Sequence, residues 1–430
     1  MGGGLAGSEA AWALAQRGIP VQLFEMRPGR TTPAHHSDQL AELVCSNSFK
    51  SEEVTNAHGL LKAEMRLLGS VVLESAAEAR VPGGAALAVD RLAFSRAVHE
   101  RVTSHPAIRL VHDHVSSLPS PGIVATGPLT SAELSDAIAI RLGTNALAFY
   151  DAIAPIVSTE SLVQERLFRA SRYGKGGGDD YLNAPLTIAE YEGFHAALTT
   201  AGQYQPSHEF DHIPYFEGCL PVEEMARRGR DVLRFGPMKP VGLCDPRTGR
   251  EPFAVVQLRQ EDRAAQMWNL VGFQTRLRNA EQQRVLRMIP GLERAEFFRY
   301  GSIHRNSYIN APQALTPHLS TRDDPRVLFA GQLTGVEGYT ESAATGILAG
   351  INLARLLCGA APLIPPPTTM LGSLYRYLRE APPEHFQPMN ANLGLVEPLD
   401  PPVRDKVQKR QRIAERALAA MSEFASLITQ

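Results

Sequence analysis

A glycine cluster at the start of the chain, Gly2-Gly3-Gly4-Leu5-Ala6-Gly7, fits the G-x-G-x-x-G pattern and constrains the fold more than any other segment. Residues 8–17 carry Ala, Trp and Leu at helical spacing and stop at Gly18, and Val21-Gln22-Leu23-Phe24 then reads as a strand ending in Glu25. Glycines, helix, strand and an acid about 20 positions on are the parts of a dinucleotide-binding unit. The glycines let the backbone approach a pyrophosphate at the helix N-terminus, and the carboxylate takes a ribose hydroxyl. Glu25 would repel a phosphate on that ribose, which favours FAD or NAD over NADP. The strand that should precede the glycines is missing. Met1 is therefore expected to close a truncated first strand, with the authentic N-terminus several residues upstream.

Two further segments repeat the strand-to-glycine turn. Ile123-Val124-Ala125-Thr126-Gly127-Pro128 is one; Val327-Leu328-Phe329-Ala330-Gly331-Gln332 is the other, followed by Gly335, Gly338 and an apolar helix over 343–357. Such turns far apart in sequence suit a split α/β nucleotide domain whose late segment returns a second helix N-terminus to the same ligand. The larger body of FAD would span both halves. The residues expected against it are Gly2, Gly3, Gly4, Leu5, Ala6, Gly7, Glu25, Arg27, Gly127, Gly331, Gln332, Gly338 and Glu341. The organisation expected is 1–144 for the first part of this domain, 145–295 for an insertion on the substrate side, and 296–430 for the second part with closing helices over 371–378 and 405–427. Two glycine-rich turns, 173–181 and 235–242, fall inside the insertion.

At 430 residues the chain has length for two or three domains, and 44% hydrophobic with 20% charged residues is the make-up of an ordinary globular protein. No apolar run approaches the ~20 residues of a membrane span, so a cytoplasmic protein without a membrane partner is expected. A formal net charge of -2 means that a polyanionic partner must meet a local basic patch. Arg supplies 37 of the 43 cations, a residue suited to bidentate phosphate contacts. The candidates are Arg227, Arg228, Arg230, Lys239, Arg276 and Arg278, with Lys406, Lys409 and Arg410 on a C-terminal helix; solvated surface is the plainer reading of the last group.

Cys45, Cys219, Cys244 and Cys358 show no C-x-x-C pair and no metal-ligand spacing, so no metal is expected. Cys219 stands just before Pro221-Val222-Glu223-Glu224, where proline and acids announce a helix start. A sulfur there feels the positive end of the helix dipole, with Arg227, Arg228 and Arg230 following, so the thiolate is favoured; a buried structural cysteine is the alternative. Cys45 lies where the apolar Leu43-Val44 turns into Ser46-Asn47-Ser48, soon after the first nucleotide unit. His304-Arg305-Asn306 ends a strand-like 297–303 and could supply an anion or carbonyl contact, or be an ordinary strand-end cluster.

Taken together, GGGLAGSEAAW, ELVCSNSFKS, SRYGKGGGDDYLN, FEGCLP, RFGPMKPVGL and FAGQLTGVEGYTESAATGILAGINLA resemble the folate- and FAD-dependent tRNA (uracil-5-)-methyltransferase family, TrmFO, from the first glycine to about Ala354. The resemblance implies a Rossmann-like FAD-binding domain of the glutathione-reductase kind, its first strand truncated, with an inserted α+β domain. It implies an enzyme forming ribothymidine at position 54 of the tRNA T-loop. Methylenetetrahydrofolate is the one-carbon donor, NADH or NADPH the reductant, and no obligate protein partner is expected. The family's two functional cysteines match Cys45 and Cys219. Cys219 is expected to add to uracil C6, because C5 is a poor nucleophile until a thiolate does so. Cys45 is expected to face the flavin, as acid/base for the C5 proton or as a guard of the one-carbon unit. A further cysteine found in many members is Ala184 here, so it is not required in this chain. The rival readings are the related flavoprotein of the wobble-uridine carboxymethylaminomethyl pathway, whose long helical C-terminal extension this chain is expected to lack, and a non-catalytic flavin-bound RNA-binding protein.

Overall fold

The computed structural model describes residues 1–32, 34–144, 147–204 and 220–429. Its helices are α1 (Leu5–Ala15), α2 (Ala57–Leu67), α3 (Val71–Glu78), α4 (Arg91–Ser104), α5 (Ala132–Leu142), α6 (Ile188–Thr200), α7 (Val222–Arg227), α8 (Val232–Phe235), α9 (Asn279–Leu286), α10 (Ala311–Ala314), α11 (Tyr339–Leu357), α12 (Met370–Glu380) and α13 (Lys406–Thr429). Short polar side chains start many of them: Asn56, Ser70, Asp90 and Thr369 each accept an amide of the first turn, and Thr187 with Glu190 forms a reciprocal capping box on α6. None of the helices described is long and apolar enough to cross a membrane.

Parallel pairs make the first unit. Strand β1 (Val21–Glu25) runs beside β5 (Ile108–His112), and β6 (Gly122–Val124) beside β15 (Val327–Phe329). Met1 and Gly2 lie between the two pairs: the Gly2 amide donates to Phe24 O at 2.8 Å, the Met1 ammonium to Ile123 O at 2.8 Å, and Ala125 N to Met1 O at 2.9 Å. Against this layer α1 and α11 cross closely. A Cβ on Gly346 would sit 2.2 Å from Ala6 O, so only glycine allows the approach. A small antiparallel sheet in the order β2 (Ser48–Ser51), β4 (Ala86–Val89), β3 (Arg80–Val81) packs beside it, and α12 and α13 return to the same core through Leu371, Leu374, Ile413 and Phe424.

Two long strands lead out of this unit and back. β7 (Leu147–Ile153) pairs antiparallel with β14 (Ser302–Tyr308) along its full length. Beyond them lies a six-stranded antiparallel sheet in the order β13 (Phe297–Arg299), β8 (Ile156–Ser158), β12 (Met267–Leu270), β11 (Ala254–Gln260), β10 (Tyr181–Leu186), β9 (Phe168–Arg169). Its own core gathers Trp268, Tyr191, Phe194 and Phe273, all fully buried.

The single strand expected over 297–303 is two, β13 and β14, broken at Gly301. A Cβ there would lie 2.4 Å from Thr275 Cγ2, so the chain turns a tight corner between sheets at that point. Helix α11 begins at Gly338 rather than at 343, and α1 starts directly after Gly4.

Candidate functional site

The first cleft, about 1110 Å³ and open to solvent, runs along the start of α1. Gly2 to Ala6 form one wall, Glu25 and Arg27 the next, Gly127 to Ser131 the far side, and Gly331, Gln332 and Ser342 the end. Gly4 is the N-cap of α1, and no side chain caps the helix, so its first amides face the cleft bare. An ideal Cβ on Gly4 meets nothing within 4 Å, whereas one on Gly3 would lie 2.5 Å from Leu40 Cδ2. Bare amides at a helix start and a backbone free of side chains fit a dinucleotide pyrophosphate.

Glu25 has two tasks. Its carboxylate accepts from Gly3 N at 2.8 Å and from Arg27 Nε at 2.9 Å, so it clamps the glycine turn as well as lining the cleft. Burial opposes its charge, but the Arg27 guanidinium and the two backbone amides hold the carboxyl below its ordinary value. Arg27 is itself buried and reaches Glu42 at 3.1 Å. Burial and the Arg27 charge push the nearby His35 imidazole down to about 4, which leaves it neutral.

A second cavity, about 970 Å³, shares Val44, Pro128, Leu129, Gln332, Tyr339 and Ser342 with the first, so the two are adjacent. Cys45 lines it together with Lys50, Asp151, Asn306, Glu337 and Asn390. Burial and the Asp151 charge push the Cys45 thiol up, against the opposing Arg91 and Arg299, and the side chain is held as a thiol at neutral pH. Burial and Asp151 likewise hold the Glu337 carboxyl well above the usual carboxylate range, and its Oε2 accepts from Gln332 Nε2. The Cys45 amide donates to the Tyr339 hydroxyl at 2.7 Å. The cavity thus holds two groups that carry protons and one carboxylate, equipment for proton transfer.

The loop bearing Cys45 lies on the seam between the units and is held from both. Arg91 donates to Leu43 O at 2.6 Å and Cys45 O at 2.9 Å while pairing with Glu261 of the second unit at 2.6 Å. Arg299, from β13, donates to Val44 O at 2.9 Å. Asn47 bridges Val89 O and Gln260 O and accepts from Arg259 Nε at 2.7 Å.

Cys219 lies outside the described residues. The helix that follows it, α7, is only six residues long; Glu223 and Glu224 fill its first turn and Arg227 pairs with Glu224 at 2.7 Å, so the dipole and cations expected to favour a thiolate there are weak or compensated. Gly7 does not line the cleft: a Cβ on it would strike Gly2 O at 1.8 Å, so this glycine serves helix-to-strand packing. Gly338 lines the Cys45 cavity rather than the first cleft, and Glu341 lies behind it, accepting from Ala391 N at 2.8 Å and meeting His58 Nδ1 at 3.2 Å. Of the basic candidates, Arg276 shares Glu224 with Arg227, and Arg230 pairs with Glu192. Arg278 donates to Gln203 O at 3.2 Å. Lys406, Lys409 and Arg410 are exposed on α13, which packs on the first unit, whereas Arg227, Arg228, Arg230, Lys239, Arg276 and Arg278 belong to the second.

Sequence reasoning missed Lys50, Asp151, Glu337, Tyr339 and the Arg91–Glu261 clamp. Glu337-Gly338-Tyr339 sits in the late glycine turn, and the unusual acid within it was the available signal; Asp151 and Arg91 carry no local motif.

Residues 1–361 match the family described as glucose inhibited division protein A, GIDA. Over all 430 residues the chain is 56% identical to the methylenetetrahydrofolate--tRNA-(uracil-5-)-methyltransferase TrmFO of Geobacter sulfurreducens, covering 98% of that protein. It is 56% identical to a TrmFO of Thermus thermophilus over 99% of this chain and 96% of that one. Among solved structures, Aquifex aeolicus GidA superposes with a TM-score of 0.71 at 16% identity, over 99% of this chain and 72% of that one, a likeness of fold.

Proposed function

The chain belongs to the TrmFO family of methylenetetrahydrofolate-dependent tRNA (uracil-5-)-methyltransferases, within the wider GIDA family, and from that premise we propose that it methylates uracil C5 of tRNA at position 54 in the T-loop. The observation that supports the reading is the adjacency of the two cavities: a dinucleotide cleft built on Gly2 to Ala6 shares lining residues with the cavity that Cys45 lines.

FAD fits the first cleft on the chemistry of its walls, with Gly3, Gly4 and the first amides of α1 toward the pyrophosphate and Glu25 toward a ribose. When bound, it supplies the redox chemistry that converts the donated one-carbon unit to a methyl group, with NADH or NADPH as the source of electrons. The chain's own residues do the rest. Cys219 is the nucleophile that adds to C6 and makes C5 reactive. Cys45, held protonated, is suited to hold and give a proton rather than to attack. Asp151, which lines the same cavity, supports a role as acceptor of the proton that leaves C5. The second unit is the tRNA side, and Arg227, Arg228, Arg230, Lys239, Arg276 and Arg278 on it, with Lys406, Lys409 and Arg410 of α13, offset the few kcal/mol of unstacking a loop base through phosphate contacts.

The test is incubation of the purified protein with FAD, NADH or NADPH, methylenetetrahydrofolate and tRNA lacking ribothymidine. Methylated uracil at position 54 is expected. Cys219→Ala should abolish it while leaving flavin absorbance intact, and full activity of that variant refutes the assignment.

A further inference from the structure

Two glycine-rich turns of the second unit, which the function above uses only through Lys239, meet. In the first, Tyr173 adopts a left-handed backbone, φ 58° and ψ 26°, a strained conformation for an aromatic residue. The residue is 65% exposed. In the second, Gly242 lies under its ring: a Cβ there would come within 2.6 Å of Tyr173 Cε1.

The contact is fixed on every side. Tyr173 N donates to Gly242 O at 3.0 Å, and the Arg172 guanidinium reaches across to Lys239 O at 2.9 Å and to Val241 O. On the other flank the Asp180 carboxylate accepts from Gly177 N at 3.1 Å and from Gly84 N of the first unit at 2.7 Å. A strained residue persists only where its surroundings over-determine it. Here they hold an aromatic face outward, while burial of the ring would have been the ordinary use of a tyrosine.

Cations stand at and beside the two turns. Residues 173–181 and 235–242 contain Lys175 and Lys239 with Asp179 and Asp180, the latter engaged with Gly177 N and Gly84 N, and Arg172 and Arg234 flank them. Arg234 pairs with Asp231, and Glu251 accepts from Gly242 N at 2.9 Å. Arg172 bonds to neutral oxygens in the contacts named above and to Gln257 Oε1 at 3.1 Å. Lys175 pairs with Glu53, three residues along the chain from Lys50, which lines the Cys45 cavity. The turn therefore stands near the rim of that cavity, within about 10 Å of chain from Lys50 to Glu53.

We propose that the Tyr173 ring, held outward over Gly242 by the two glycine-rich turns, is a stacking platform for an unstacked base of the tRNA, flanked by Arg172 and Lys239, which take the adjoining phosphates. The inference rests on the tRNA-methylating reading. An exposed aromatic face beside cations is the arrangement that binds single-stranded nucleic acid without regard to sequence. A T-loop opened at one base leaves its neighbours in need of a partner face.

The experiment measures binding of tRNA lacking ribothymidine to the flavin-loaded protein over a range of salt concentrations, for the wild type, Tyr173→Ala, Tyr173→Phe and Lys239→Ala. Loss of one stacked base should weaken Kd roughly 5- to 100-fold in Tyr173→Ala, with the salt dependence unchanged. Tyr173→Phe should stay within about twofold of the wild type, since a phenyl ring stacks as well. Lys239→Ala should shallow the log–log salt slope by roughly 0.7 to 0.9. Thermal stability and tRNA-independent NAD(P)H oxidation should be unaltered in both Tyr173 variants. Wild-type affinity in Tyr173→Ala overturns the proposal while leaving the methyltransferase reading intact. Equal losses in Tyr173→Ala and Tyr173→Phe with a lowered Tm assign the ring a packing role and overturn it as well. Failure of the wild type to bind tRNA removes both readings.

Discussion

Gly4→Ala separates the binding role of the glycine turn from its structural role. Gly4 has φ -75° and ψ -170°, a backbone any residue adopts, and the added methyl meets nothing within 4 Å. Alanine is a poorer N-cap than glycine by up to about 1 kcal/mol. The stiffer unfolded chain returns about 0.4–1 kcal/mol, so stability should barely change. The methyl, however, enters the cleft where the bare amides of α1 point. Excluding a phosphate oxygen from one of them forfeits a charge-assisted hydrogen bond of about 1.5–3 kcal/mol, or roughly 10- to 150-fold in the Kd for FAD. Gly7→Ala is the contrasting control: its methyl would lie 1.8 Å from Gly2 O, backbone against backbone, so the whole helix must move and stability should fall by several kcal/mol. Titration of flavin-free protein with FAD, followed by flavin fluorescence alongside thermal denaturation, reads both quantities. A Gly4→Ala protein that binds FAD as tightly as the wild type would show that the pyrophosphate does not rest on α1.

Arg91→Met strips the partner from Glu261, whose side chain is 1% exposed, and from two loop carbonyls; a loss of about 3–5 kcal/mol in denaturant unfolding is expected, with most of it recovered in Arg91→Met/Glu261→Met, and equal losses in single and double variants would contradict the clamp. Lys62 is fully buried, donates to Phe49 O at 2.7 Å and His58 O at 2.9 Å, and is pushed down to about 7 chiefly by burial. Between pH 7 and its ordinary 10.5 the unfolded chain holds a proton that the folded chain has released, so stability should rise with pH across that window; urea unfolding of Lys62→Met at several pH values should show the rise flattened.

Much of the nucleotide unit is legible because its rules are local. The glycine run, the helix behind it and the acid closing β1 are consecutive in the chain, and so are the glycines after β15. The cysteine cavity is another matter. Its walls come from Cys45, Asp151, Asn306 and Glu337; Asp151 and Asn306 are brought together by pairing of β7 with β14 across some 150 residues, and no periodicity announces such a pairing. Buried polar residues follow the same logic. Arg91 reads as a surface cation at the head of a helix until Glu261 arrives from the other unit. Glycines of one motif also divide on inspection: Gly4 opens to a ligand, Gly7 to a neighbouring backbone, and spacing alone does not tell them apart.

With Arg91, Arg299 and Arg259 gripping one short loop from two directions, Cys45 occupies the position of a pivot pin. A wide jaw-like swing of the two lobes would tear those grips, and the thiol would be displaced along with them. Those grips tie the placement of the cavity wall that carries the thiol to the mutual placement of the two lobes.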